Sequence, residues 1–129
     1  MSPGLQRFAR RLRAMLTIGK PPKLYRARLC QGFEWSRAFP QTSTEDIRSF
    51  LHLFVFCFAF ADRFATCFAP SDRILDIYRS LYPSPWLADA LECETLAALF
   101  EREYEVSFDS VWHEELTLGA LFGAVASRP

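Results

Sequence analysis

No uninterrupted apolar run in this sequence is long enough to cross a bilayer, which takes about twenty consecutive apolar residues. The most apolar stretch, "FLHLFVFCFAFADRFATCFA" from Phe50 to Ala69, is broken by Asp62 and Arg63. The first residues, "MSPGLQRFARRLRAML", are basic but lack an apolar core of secretory length, so no signal peptide is expected. The four cysteines, Cys30, Cys57, Cys67 and Cys93, include no CxxC pair, and histidines do not cluster. That spacing excludes the common zinc and dithiol motifs. Reduced, mostly buried thiols and a cytoplasmic location are the expectation. Internal repeats and low-complexity segments are also missing.

What is present is asymmetric. The formal net charge is zero, yet residues 1–43 carry nine Lys or Arg against the single Glu34, and residues 44–129 carry six against fourteen acids. A basic arm therefore precedes an acidic domain, with the boundary expected near Pro40 to Ser43. Within the arm, Leu5, Phe8, Leu12 and Met15 recur at helical spacing among Arg7, Arg10, Arg11 and Arg13, until "GKPPK" stops the pattern. "KLYRARL" alternates apolar and basic residues as a short strand would, and "FEWSRAFPQTST" reads as loop.

The acidic domain reads as helical throughout. Ser43 or Thr44 is placed to cap a helix with Glu45 and Asp46 in its first turn. Seven of the thirteen phenylalanines fall between Phe50 and Ala69, in ladders of spacing four: Phe50, Phe54, Phe58, then Phe60, Phe64, Phe68. The expectation is one long helix, with a solvent stripe through Arg48, His52, Val55, Ala59, Asp62 and Thr66. Ser71 is a possible cap for a short helix through Ile74, Leu75, Ile77, Tyr78 and Leu81, which "YPSPW" ends. An amphipathic helix follows from Asp89, with Leu91, Leu96, Leu99, Phe100 and Tyr104 on one side. "DSVWHEELT" forms a short helical turn, and Thr117 caps a final helix whose shared face holds Leu118, Leu121, Phe122 and Val125.

The segment "DALECETLAALFEREYEVSFDSVWHEELTLGALFGAV", Asp89 to Val125, resembles the part of acyl carrier proteins that opens Asp-Ser-Leu. In that family it runs through an acidic second helix and a short third one to an Ile-Thr-Thr start of the fourth. The pattern fits without gaps from Asp89 to Thr117, and helix order extends it loosely back to Thr44. Tyr82-Pro83, Asp89 to Glu92 and Leu116 to Gly119 are also similar to segments of bacterial acyl-carrier-like proteins of unknown function. The resemblance implies an all-α, acyl-carrier-protein-like four-helix bundle with a basic N-terminal arm. It also implies an absence. The carrier serine that receives 4′-phosphopantetheine corresponds to Ala90, which has no hydroxyl, and Ser80 and Ser84 lie upstream of the motif. No cofactor is expected. Glu94 departs from the pattern, which prefers an apolar residue there. A core of phenyl rings also leaves less room for an acyl chain than the aliphatic cores of carriers.

In carrier proteins the acidic second helix is what basic partner enzymes recognise. The resemblance accordingly makes Asp89, Glu92, Glu101, Glu103 and Glu105 the candidate partner-binding residues, and the expected function non-catalytic protein interaction. The alternative is a membrane-surface or nucleic-acid adaptor using the basic arm, which is equally able to fold against the acidic helix of its own or another copy. An enzyme ranks last: His52 has no identifiable nucleophile nearby, and His113 beside Glu114 and Glu115 lacks the spacing that sets two metal ligands on one helix face. Cys93 at a helix start is open to activation by the dipole, but burial as a small apolar residue is the simpler reading.

Overall fold

The computed structural model describes residues 19–82 and 91–126. The described chain is all-α. Its elements are α1 (Lys23–Arg26), α2 (Gly32–Ala38), α3 (Thr44–Cys57), a 3₁₀ stretch (Asp62–Cys67), α4 (Ile74–Leu81), α5 (Leu91–Tyr104), α6 (Phe108–Val111) and α7 (Leu118–Ala126). Among the described residues there is no strand, only one isolated antiparallel bridge between Arg73 and Thr117, and no helix long and apolar enough to cross a membrane.

Helix α3 starts as its sequence requires: Ser43 Oγ accepts the Asp46 N–H at 3.1 Å, and two acids occupy the first turn. It stops earlier than the phenylalanine ladders imply. The Phe60 N–H reaches back to Val55 O at 2.8 Å and the Ala59 N–H to Phe56 O at 3.1 Å, while Ala59 takes a φ of 61°. This paired closure with a left-handed residue terminates a helix firmly. The expected single helix therefore becomes a helix and a 3₁₀ turn. A continuous rod from Thr44 to Cys67 would run about 36 Å, too far for so small a domain to cover its rings. Folding back lets Phe60 stack on Phe68 at 5.6 Å and 10°, and Phe54 meet Phe68 edge-on at 5.1 Å. The expected solvent stripe shifts with it: Val55 and Ala59 are buried, and the wet side of α3 is Glu45, Arg48, Ser49, His52 and Phe56.

Residues 19–43 are not a separate arm. Tyr25 and Trp35 are buried in the same core cluster as Phe50, Phe54, Phe68 and Phe122. The Trp35 indole N–H donates to Phe68 O at 2.8 Å, and its ring sits 6.0 Å from those of Phe50 and Phe122. Backbone bonds tie the segment down further, from Gln31 N to Thr66 O at 2.7 Å and from Ala61 N to Gly19 O at 2.7 Å. Both local readings of this stretch are corrected. Lys23–Arg26 is a helical turn rather than a strand, and Gly32–Ala38 is a helix rather than loop. The physical reason is burial of one large ring from each, Tyr25 and Trp35, which outweighs weak local preference. The expected helix across residues 5 to 16 lies outside the described residues.

The C-terminal half follows its expected pattern closely. Thr117 Oγ1 accepts the Ala120 N–H at 3.0 Å, capping α7, whose Leu118, Leu121 and Phe122 are buried. Ser71 does not cap α4, whose N-cap is Arg73 without a side-chain bond. Instead the approaches to α4 and α7 pair: Ile74 N to Leu116 O at 3.0 Å, Leu118 N to Asp72 O at 2.9 Å and Gly119 N to Pro70 O at 2.8 Å. Gly119 is needed for that approach, since a Cβ there would lie 2.9 Å from both the Pro70 Cβ and its carbonyl oxygen.

Candidate functional site

Helix α5 was the expected docking element, and the structure divides its acids. Glu92 is buried, with 9% of its surface exposed. Its Oε1 accepts the Tyr82 O–H at 2.5 Å, and its Oε2 has no hydrogen-bond partner among the described residues. Glu92 therefore cannot serve on an exposed docking face, and that expectation is corrected. The signal was in the sequence: Glu92 stands four residues before Leu96 and eight before Phe100, both fully buried, so it shares their stripe. Asp89 and Ala90 lie outside the described residues. Glu94 is exposed.

Glu101, Glu103 and Glu105 are exposed at the C-terminal end of α5. Glu101 has a local task as well, its Oε1 accepting the Phe108 N–H at 2.8 Å at the start of α6. Glu105 ends α5 in the left-handed region, φ 57°, with its N–H on Glu101 O at 2.9 Å. Of these acids, Glu103 adjoins the start of α3. Asp46, Ser43 and Ser49 face Glu103 and Tyr104 across an open groove of about 510 Å³ that Phe122 and Val125 complete. Burial, then the charges of Glu103 and Asp46, push the Tyr104 phenol up to about 12. The groove is thus walled by two carboxylates and a neutral phenol, which suits a cation from a partner better than an anion or an apolar chain.

The histidines remain apart from this groove. His52 Nδ1 lies 3.3 Å from Asp62 Oδ1, both side chains well exposed. His113 Nδ1 accepts the Glu115 N–H at 3.2 Å, a local turn contact. Among the described residues no three His, Cys, Asp or Glu side chains gather as a metal site. The Cys93 thiol is pushed up to about 11 by burial, with Glu92 and Glu94 adding to it. The helix dipole does not activate it, because desolvation and two neighbouring carboxylates all oppose the thiolate.

One polar cluster was missed altogether. Arg28 forks onto Asp72, with Nη1 to Oδ2 at 2.7 Å and Nη2 to Oδ1 at 2.8 Å, and Asp72 Oδ2 also accepts the Ala69 N–H at 2.7 Å. The guanidinium lies 5.0 Å from the centre of the Tyr25 ring. A pair separated by 44 residues leaves no local trace, although Tyr25 and Arg28 stand three apart, the spacing of one helical face. No family model matches this chain, and no curated protein or solved structure matches it significantly.

Proposed function

We propose that this chain is a non-catalytic, acyl-carrier-like helical protein that cannot carry phosphopantetheine and works by docking a basic protein partner. The carrier resemblance rests on the order of helices from Thr44 to Ala126 and on the gapless match from Asp89 to Thr117. The observation that carries the docking reading is the exposed acidic end of α5, Glu101, Glu103 and Glu105, of which Glu103 shares one groove with Asp46. Arg48 and Arg102 are the nearby bases in sequence, so the acids of this end outnumber them and attract a basic partner by long-range steering.

Two measurements test it. Incubation with a broad-specificity phosphopantetheinyl transferase and coenzyme A is expected to leave the intact mass unchanged; a gain of one phosphopantetheine overturns the reading. Quantitative affinity capture then compares the wild-type chain with Glu103→Lys/Glu105→Lys. A salt-sensitive basic partner lost from the variant supports docking here, whereas identical captured sets refute it.

A further inference from the structure

Four large apolar side chains are exposed among the described residues, and three of them, Leu24 at 70%, Leu29 at 86% and Phe33 at 71%, fall within ten residues of one another. They belong to the segment whose other rings, Tyr25 and Trp35, are buried in the core. The segment is therefore held firmly while it presents these three side chains to solvent. Exposed large apolar groups so concentrated are uncommon on a soluble surface without a partner.

Their surroundings are basic. Lys20, Lys23, Arg26 and Arg37 are exposed along the same stretch, and Glu34 is the only acid among residues 19–38. Glu34 offsets little, its Oε1 lying 3.9 Å from Arg37 Nη1 with both side chains in solvent. Arg28, the remaining cation, is committed to Asp72. We infer that residues 20–37 form a docking surface for an anionic lipid bilayer, with Leu24, Leu29 and Phe33 entering the headgroup–acyl boundary and Lys20, Lys23, Arg26 and Arg37 meeting lipid phosphates and carboxylates. Apolar and basic groups together are the two signals that reversible membrane attachment requires. Nucleic acid would use the cations and leave the two leucines idle. A second copy would need to bring its acidic end to this surface. The surface lies on a different part of the chain from the acidic end of α5, so it stands or falls independently of the proposed partner docking.

Co-sedimentation of the full chain with phosphatidylcholine vesicles, with and without phosphatidylserine, tests it. Binding is expected only with the anionic lipid and is expected to weaken in high salt. Leu24→Ser/Leu29→Ser/Phe33→Ser should lower the partition constant by roughly tenfold or more. Because all three side chains are exposed, its circular dichroism and melting should match wild type. Exchanging Lys23 and Arg26 for glutamine should weaken binding about fivefold per charge. The inference is overturned if the triple variant binds lipid as wild type does, or if neutral vesicles bind equally. It is also overturned if the apolar substitutions turn a dimer into a monomer without changing lipid binding, or if DNA is retained and vesicles are not.

Discussion

Asp72 is 8% exposed and receives three donors, two from Arg28 and one from the Ala69 backbone. A carboxylate so placed depends on its counter-ion, because removing one partner of a buried pair strands the other. Arg28→Ala is expected to cost about 2 to 4 kcal/mol in urea unfolding, and Arg28→Lys to recover only part of that, since an ammonium cannot fork. Equal stability of the three proteins would show that the pair is dispensable. Tyr104 gives a pH dependence of known sign. Its folded-state phenol is held at about 12 against the ordinary value of 10.0, so the unfolded chain releases its proton first as pH rises. Stability from this group is complete below the unfolded value and is lost through the interval up to the folded one. Denaturation midpoints of wild type should fall across that interval more steeply than those of Tyr104→Phe; parallel curves would assign the alkaline loss elsewhere.

At the scale of elements, the turn that ends α3 holds an alanine where the backbone favours glycine. Ala59→Gly is expected to raise stability by about 0.5 to 1 kcal/mol, read as a higher melting temperature; a lower one would mean that the buried Ala59 methyl contributes more than the strain costs. Helices with a cap and a stripe were legible beforehand. Ser43 and Thr117 cap as expected, and α4, α5 and α7 bury the faces their spacing marks. The break at Phe58 to Ala61 was hard to read, because its only trace is the two-residue step from Phe58 to Phe60 between the two ladders, and no glycine or proline announces the turn. Only the alternative packing of Phe60 on Phe68 distinguishes the two outcomes. Of the candidate docking residues, Glu101, Glu103 and Glu105 are on the surface, while Glu92 shares the buried register of Leu96 and Phe100, which outweighs its charge.

For the whole molecule, the charge asymmetry between residues 1–43 and 44–129 suggested a boundary that the core does not respect. A chain starting at Thr44 would lose Tyr25, Trp35 and the Arg28 fork together. Loss of a buried Trp alone costs about 3 to 5 kcal/mol, against a total stability of roughly 5 to 15. The truncated chain is expected to unfold without a cooperative transition and to bind a hydrophobic dye; a sharp melt near that of the full chain would restore the arm as an independent part. Composition and periodicity by themselves determined that the chain from Thr44 is helical and where α3 and α7 begin, since each of these depends on residues near one another in the chain. The tertiary structure decided that the phenylalanine run folds back, that the basic segment from residue 19 completes the core, and that Glu92 is buried while Leu24, Leu29 and Phe33 are exposed. Those outcomes depend on which distant surfaces cover one another, and burial of large rings outweighs the local signals of charge and alternation that point elsewhere.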